Sequence, residues 1–300
     1  MEGQEKLKDW YIRYHLIFGK RYTRKQKDRF LNSLSADMLP FRQDLKLDSF
    51  RLNEKDKNEY RNLYVGDPEK ADTIICTYYD TPAARFSPYH FFDEEHRMKN
   101  TTKFILVTSM IYIVIGLLFT LLVAMPIFQA NGIGNILSIS FILFYIVFFY
   151  FLGIITRGWP KKKNLIQNTS SVLLLLNCIA TCKTKHVAFA FVDGGSTNNA
   201  GLERLIEQYR SKIWMVDSIG SQKPLYQVNR NNNQSRLIEA VEEVDLLFSQ
   251  NERLVYLISG NQENDQFVLS RSDLRKNELN DQNMNTAFAF LERVVRRGLK

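Results

Sequence analysis

Two long apolar segments interrupt an otherwise mixed pattern of hydrophobic and polar residues. No charged residue occurs from Phe104 to Thr156, and the apolar runs 104–128 and 136–156 flank the polar stretch QANGIGN. At about 1.5 Å per residue, helices of these lengths extend roughly 37 and 31 Å, enough to cross a hydrocarbon core of about 30 Å. The runs are therefore predicted to be two transmembrane helices, because a buried hairpin of a soluble protein rarely lacks charge over such a length.

Basic residues flank this hairpin on one side, while its connecting loop carries no charge. The positive-inside rule then places both termini and the soluble part of the chain in the cytoplasm, as in a multi-pass protein of the cell membrane. The first 30 residues lack the apolar core of a cleavable signal peptide. The residues expected at the membrane surface are Arg97, Lys99, Lys103, Arg157, Lys161, Lys162 and Lys163.

Outside the hairpin, short apolar runs alternate with amphipathic segments. Strands are predicted on both sides of the turn GDPEKAD, and then at 186–192, 212–219, 253–259 and 266–270. Helices are predicted near 169–184, 199–211, 235–249 and 284–297. This alternation predicts an α/β fold, with a mostly parallel mixed sheet flanked by helices on both faces.

The N-terminal region is basic and rich in aromatic residues. The first 30 residues contain nine Lys or Arg and four Asp or Glu. Tyr11, Tyr14, Phe18 and Tyr22 recur at helical spacing. Such a helix either lies on an anionic membrane surface or packs on the soluble domain with its basic face in water. The pattern leaves both alternatives open.

Composition is consistent with one globular domain carrying an appendage. The chain has 300 residues, 45% of them hydrophobic and 24% charged, with a net charge of +8. We expect an N-terminal helical region over 1–58, the first strands of the domain over 59–100, the transmembrane hairpin over 104–156, and the remainder of the domain over 164–300. Because the N-terminal region and the membrane flanks account for most of the positive charge, nucleic-acid binding is not expected.

Cysteine and histidine spacing does not predict a metal site. Cys178 and Cys182 stand four residues apart and could form half of a zinc site, but no second pair completes it. Together with Cys76 they are expected to be free thiols in a reducing compartment. His90 and His96 lie in the run YHFFDEEHRMK, which is expected to be a surface segment next to the membrane.

Four short motifs follow one another at the predicted strand ends and helix starts. They are YYDT at 78–81, QNTSSV at 167–172, VDGGS at 192–196 and DSIG at 217–220. In order, spacing and secondary structure they resemble the motifs of zinc aminopeptidases of the bacterial leucyl aminopeptidase type, a family that includes glutaminyl cyclases and inactive relatives such as nicastrin and transferrin receptor. The resemblance implies a zinc-exopeptidase-like fold with these motifs on one rim.

The chain departs from the family pattern at the positions of the metal ligands and the general base. By this resemblance, Tyr78 stands in place of the first histidine ligand and Gln167 in place of the bridging aspartate. Gly195 and Ser196 replace the glutamates that serve as general base and metal ligand. The final histidine has no clear counterpart, and near SRSDLRK Leu274 would take its place.

Two carboxylates of the family pattern remain, Asp217 as a ligand and Asp80 as an orienting group. One ligand cannot hold zinc, which requires three or four. Without bound metal, water keeps a pKa of about 15.7 instead of about 7, and the nucleophile is lost. No cofactor, metal or catalytic residue is therefore predicted. The candidate partner-binding pocket consists of Tyr78, Asp80, Gln167, Gly195, Ser196 and Asp217.

These observations favour a membrane-anchored, inactive aminopeptidase-like protein that binds a protein or peptide partner at the cytoplasmic membrane face. An integral membrane protein is the expected partner, because short connectors between the hairpin and the motifs should turn the pocket towards the membrane. One alternative is a divergent metallopeptidase or related hydrolase with a relocated site. Another is a scaffold without a pocket.

Overall fold

The computed structural model describes residues 2–56, 58–132, 135–161, 164–182, 184–230, 234–238, 253–264 and 266–297. The chain divides into two compact units. The sheet unit comprises Met1–Pro82, Pro88–Glu94 and Lys161–Lys300, and the hairpin unit comprises Ala83–Ser87 and Glu95–Pro160.

The strands of the sheet unit are β1 Leu45–Phe50, β2 Tyr60–Val65, β3 Thr73–Tyr78, β4 Tyr89–His90, β5 Val187–Val192, β6 Lys212–Asp217, β7 Leu225–Asn229, β8 Gln234–Leu237, β9 Leu254–Ser259, β10 Asn261–Glu263 and β11 Gln266–Leu269. In the described residues, one sheet has the order β1-β2-β5-β3-β6-β9-β7-β8, and a small sheet has the order β10-β11-β4. Strands β5, β3, β6 and β9 are parallel, whereas the pairs on either side of them are antiparallel. The predicted fold class is confirmed.

The α-helices are α1 Glu2–Tyr11, α2 Arg24–Met38, α3 Glu94–Phe119, α4 Met125–Asn131, α5 Ile136–Thr156, α6 Ser170–Thr181, α7 Ala200–Gln208 and α8 Asp281–Arg297. Wider π-helical turns extend α1 over Ile12–Ile17, join α3 to α4 over Thr120–Ala124, and precede α6 over Leu165–Thr169. One apolar cluster contains residues of α2, α6 and α8, and a second contains residues of α7. Every residue of β3 and β5 is buried, as expected for strands covered on both faces.

The N-terminal region packs on the sheet unit. Trp10 and Tyr14 are buried in the larger apolar cluster, and Tyr11 and Phe18 pack against it. Helix α2 begins at a capping box in which Thr23 accepts a hydrogen bond from the backbone of Gln26. The sequence pattern left open whether the aromatic stripe lies on a membrane or packs on the domain. In the structure the aromatic stripe packs on the domain.

The two strands predicted around GDPEKAD are present, and β5 lies between them in the sheet. Other parts of the predicted pattern require correction. Of the helix predicted near 235–249, residues 235–237 belong to β8, and residues 239–252 lie outside the described part of the chain. Strands β1 and β7 were not predicted, because polar residues interrupt their alternation.

The run YHFFDEEHRMK is only partly a surface segment. Tyr89 and Phe91 are 1% and 6% exposed, and they belong to an apolar cluster of the sheet unit. From Glu94 onward the chain forms helix α3. The surface prediction was wrong for the aromatic half of this run, since alternate aromatic side chains follow the strand period and point into the core.

The hairpin unit contains two helices that are long and apolar enough to cross a membrane. They run over Glu94–Asn131 and Ile136–Thr156, and an 18-residue window of each has a mean hydropathy of 2.6 and 2.4, respectively. The rings of Tyr112 and Phe148 stack at 4.4 Å between them. Gly116 allows this close approach, because a Cβ atom there would lie 2.3 Å from the Phe148 ring.

The seven flanking basic residues differ in exposure. Lys99, Lys103 and Arg157 are exposed, Lys161 is half-buried, Arg97 is 2% exposed, and Lys162 and Lys163 lie outside the described residues. Lys99 forms an ion pair of 2.7 Å with Glu95 one turn earlier.

Candidate functional site

The predicted site residues meet at one edge of the sheet. Strands β5, β3 and β6 are adjacent and parallel, so their carboxyl ends reach the same edge. Tyr78 ends β3, Asp217 ends β6, and Gly195 and Ser196 follow β5. All six candidate residues are buried, with exposures of 8% or less for those other than Gly195.

Two tyrosine hydroxyls hold Asp217. The Tyr89 hydroxyl donates a hydrogen bond of 2.5 Å to Asp217 Oδ2, and the Tyr78 hydroxyl lies 3.2 Å from Asp217 Oδ1. Gln167 Nε2 donates to the Tyr78 hydroxyl at 3.3 Å, and the Ser218 hydroxyl donates to Asp217 at 2.9 Å. We call Tyr78, Tyr89, Gln167 and Asp217 the tyrosine cluster.

The tyrosine cluster favours neutral phenols. Burial raises the pKa of Tyr78 well above its ordinary value of 10.0, and the charge of Asp217 raises this pKa further. A neutral hydroxyl remains a donor over the whole physiological range. The neutral Tyr78 hydroxyl therefore acts as a donor, with Asp217 Oδ1 and the Gln167 carbonyl oxygen both at 3.2 Å as acceptors, and the Tyr89 hydroxyl donates to Asp217 Oδ2.

Tyr89 was missed by sequence reasoning. It belongs to none of the four motifs, and the chain passes through the whole hairpin before it reaches the motif of Gln167. The available signal was the alternation of Tyr89 and Phe91, which is typical of a half-buried strand.

Gly195 packs directly against Tyr78. A Cβ atom at position 195 would lie 2.2 Å from Cβ and 2.3 Å from Cγ of Tyr78. No side chain fits there without a shift of the backbone. The position that resembles the family's general base therefore has no room for any side chain beyond hydrogen.

Leu274 adds an apolar wall beside the tyrosine cluster. It is 2% exposed and lies in one cluster with Tyr89, Ile166, Ile258 and Phe267. The place that resembles the family's final histidine is thus part of a hydrophobic core.

Asp80 and Ser196 form a second contact at this edge. Asp80 Oδ2 accepts a hydrogen bond of 3.1 Å from the Ser196 backbone N–H and another from the Ser196 hydroxyl. Burial raises the pKa of Asp80, and the neighbouring positive charge of Lys27 opposes this shift. Lys27 Nζ in turn donates to Asp193 Oδ1 at 2.6 Å.

A buried arginine completes the charged part of the site. Arg21 has no exposed surface, and its guanidinium donates to the carbonyl oxygens of Tyr14 and Phe18 at 3.2 Å and to Thr169 Oγ1 at 2.9 Å. It also donates to Asn168 Oδ1. Burial lowers the pKa of Arg21 to about 9, although the charge of Asp80 raises it. The side chain is therefore still a cation at neutral pH.

Arg21 and Lys27 give the site its positive charge. We call Arg21, Lys27, Asp80 and Asp193 the charged cluster. Both cations come from the N-terminal region, and no local motif marked either of them as part of the site. Lys27 has a raised pKa because the attraction of Asp80 and Asp193 outweighs the opposing effect of burial. The two carboxylates are thus balanced by side chains of the same chain.

The residues present do not fit the zinc ion that this kind of fold implies. Zinc takes three or four N, O or S ligands at about 2.0–2.3 Å. No group of three or more His, Cys, Asp or Glu side chains suited to a metal occurs in the described residues. Asp217 accepts hydrogen bonds from tyrosine hydroxyls. The nearby site positions 167 and 195 carry a glutamine and a glycine.

The fold is of the zinc-exopeptidase type, with the motif residues at the carboxyl edge of the parallel strands. The chain is similar to a Zn-dependent exopeptidase from Parabacteroides distasonis, with a TM-score of 0.54, 10% identity, and coverage of 95% of both chains. It is also similar to glutaminyl cyclases from Tannerella forsythia (TM-score 0.53, 10% identity, 97% of both chains) and Porphyromonas gingivalis (0.53, 11%, 96% of both).

No family model and no curated protein sequence matches the chain. At this level of identity the structural likeness establishes the fold alone.

Proposed function

We propose that this protein is a catalytically inactive, membrane-anchored member of the zinc-exopeptidase fold that acts by binding a protein or peptide. The observation that carries the proposal is the tyrosine cluster, in which Tyr78 and Tyr89 hold Asp217 by hydrogen bonds. Phenols and a leucine wall stand where hydrolysis would require metal ligands. A general base is also missing from position 195, which has no space for one.

Peptide hydrolysis requires an activated nucleophile. Metal-bound water and a positioned base supply it in metallopeptidases, and the base alone contributes roughly 10²- to 10⁴-fold. One hydroxyl–carboxylate pair that a hydrolase with a relocated site could use is the Asp80–Ser196 contact at the same edge. Asp80 is committed to Ser196 and to the charge of Lys27, which supports a structural role for this pair.

The inactivity proposal is tested on the purified full-length protein in detergent. We expect well under one zinc per chain, and no turnover of aminoacyl or N-terminal glutaminyl reporter peptides with added zinc or cobalt. Asp217→Ala and Ser196→Ala serve as matched variants. Stoichiometric metal that disappears in Asp217→Ala, or turnover that disappears in Ser196→Ala, would establish the hydrolase alternative.

Membrane anchoring is supported by the length and apolar composition of the two hairpin helices. We propose a cytoplasmic sheet unit, because the basic residues flank the hairpin at its ends. In intact cells, a cysteine at Asn131 should react with an impermeant thiol reagent, and one at the exposed Ser49 of β1 should not. Wild-type Cys76 is fully buried and so cannot report topology. Labelling at Ser49 alone would invert the orientation.

Partner binding is proposed at the same sheet edge, through exposed neighbours of the buried site. Thr197 is exposed directly after Ser196, whereas Asp72 is exposed at the amino end of β3, on the opposite edge. A photocrosslinker at Thr197 in native membranes should give a discrete adduct with a membrane protein or peptide, and one at Asp72 should not. Equal adducts from both positions, or none from Thr197, would remove the support for this edge. No nucleic-acid partner is proposed.

A further inference from the structure

The end of the first helical segment exposes two large apolar side chains. Leu16 and Ile17 are 66% and 67% exposed, while Tyr14 in the same π-helical turn is fully buried. The exposed Lys20 follows three residues later. Among the described residues outside the hairpin unit, no other large apolar side chain is as exposed as these two.

Backbone geometry holds this pair in place. A Cβ atom at Gly19 would lie 2.2 Å from the carbonyl oxygen of His15, so only glycine fits this turn. The Phe18 N–H donates 2.8 Å to the Arg13 carbonyl, which closes the turn. Leu16 and Ile17 are thus presented by an ordered part of the fold.

This segment is hydrogen-bonded to both sides of the hairpin insertion. On the outgoing side, the Arg21 N–H donates 2.9 Å to Thr81 Oγ1, and the Thr81 N–H donates 3.0 Å to the Arg21 carbonyl. On the returning side, Asn164 Nδ2 donates 3.1 Å to the Gly19 carbonyl. Both contacts lie within the sheet unit.

The chain leaves and rejoins the sheet unit beside these contacts. Thr81 directly precedes Pro82, and Lys161, which precedes Asn164 by three residues, donates 3.0 Å through its N–H to the Pro82 carbonyl. Helix α5 ends at Thr156, eight residues before Asn164. At no more than about 3.5 Å per residue, the tether between them cannot exceed roughly 28 Å.

We propose that Leu16, Ile17 and Lys20 form a second membrane contact, with the apolar pair inserted at the headgroup level of the leaflet next to the sheet unit. This inference rests on the proposed anchoring, because only a membrane-spanning hairpin brings the tethered segment to a bilayer. Its occupant is an anionic lipid surface. Lys20 and the basic run Lys161, Lys162 and Lys163, which precedes Asn164 in sequence, match negative headgroups.

The test uses spin labels on the full-length protein in vesicles that contain phosphatidylserine. Single cysteines replace Leu16, Ile17, Leu47 or Phe144 in a Cys182→Ser background, since Cys182 is the least buried native thiol. Leu47 on β1 is the matched control, with 51% exposure, and Phe144 in α5 reports the hairpin. Collision with oxygen marks lipid, and collision with a water-soluble nickel chelate marks water.

We expect labels at Leu16 and Ile17 to favour oxygen, at a shallower depth than Phe144, while Leu47 favours the nickel chelate. Lys20→Glu should reduce the oxygen preference at Ile17 in phosphatidylserine vesicles and leave it unchanged in phosphatidylcholine vesicles. Phe144 in lipid with Leu16 and Ile17 in water would overturn this inference and leave the anchoring intact. A Phe144 label in water would overturn both the second membrane contact and the proposed anchoring. Labels at Leu16 and Ile17 shielded from both reagents would identify a protein-covered surface and reject the lipid contact.

Discussion

The side chain of Tyr78 lies so close to Gly195 that a Cβ atom on the glycine would be 2.2 Å from the tyrosine Cβ and 2.3 Å from its ring atom Cγ. The two residues are therefore a size-matched pair, one large and one without a side chain. In the motifs that the sequence resembles, histidine and glutamate occupy these positions. The Tyr78 side chain fills the space and its hydroxyl hydrogen-bonds Asp217. Gly195 leaves room for the tyrosine because it has no side chain.

Gly195→Ala should destabilise the protein by about 1–3 kcal/mol, the usual cost of overpacking a well-packed core. The free energy of unfolding is measured by denaturant titration in detergent, followed by tryptophan fluorescence. Gly153→Ala is the matched control, because a Cβ placed at that helical position has no described atom within 4 Å apart from its chain neighbours and the backbone of its own helix. Equal stability of Gly195→Ala and wild type would contradict the close packing.

Tyr89→Phe should cost about 1.5–3 kcal/mol, because it removes a hydrogen bond from a buried carboxylate. The cost should fall in an Asp217→Asn background, where the acceptor no longer carries charge. Tyr226→Phe is the control, since Tyr226 contributes a ring contact with Phe267 at 5.0 Å, and its hydroxyl donates no hydrogen bond within the described residues. The same titration measures all of these variants. If Tyr89→Phe costs as much free energy in the Asp217→Asn background as in the wild type, Tyr89 acts only through packing.

Arg21→Met should destabilise the protein by about 3 kcal/mol or more, because it leaves Asp80 with less compensating charge and several buried acceptors unpaired. Arg24→Met is the matched control. Arg24 pairs with Glu59 at 2.6 Å, but its side chain is 63% exposed, so we expect a change within about 1 kcal/mol.

The charge relationship is tested by combining Arg21→Met with Asp80→Asn. The double variant should be less destabilised than the sum of the two single variants. Strict additivity would show that Arg21 and Asp80 do not interact across the site.

Stability should fall above about pH 10, because several buried tyrosines have raised pKa values. Burial raises the pKa of Tyr14, Tyr64, Tyr78 and Tyr79. A group with a raised folded pKa contributes stability fully below its unfolded pKa, here 10.0, and this contribution is lost as the pH rises towards the folded value.

The contribution of Arg21 to stability changes with pH in the opposite direction. Burial lowers its pKa from the ordinary arginine value to about 9, so its contribution to stability improves as the pH rises above about 9. One arginine opposes four tyrosines, and each group changes the free energy by about 1.4 kcal/mol per pH unit at most. The net slope is therefore negative. Tyrosinate absorbance should appear together with unfolding, and Tyr78→Phe should make the slope less steep; tyrosinate forming in the folded protein would contradict this.

Local patterns in the sequence determined the hairpin helices and most of the strands and helices near the motifs. The resemblance of four short motifs to those of zinc aminopeptidases led to the prediction that Tyr78, Asp80, Gln167, Gly195, Ser196 and Asp217 lie on one rim. Periodicity reports which face of an element is buried, and parallel strands bring their carboxyl ends to one edge. These two rules require only short stretches of chain.

Only the tertiary structure decided what fills the site. Tyr89 and Arg21 reach it from segments outside the motifs, and Lys27 joins Asp193 across 166 positions of the chain. The N-terminal aromatic stripe packs on the sheet unit because α2 and α6 provide an apolar surface there. Such contacts depend on strand order and on the packing of distant elements, and a local pattern shows that a side chain is buried without showing its partner.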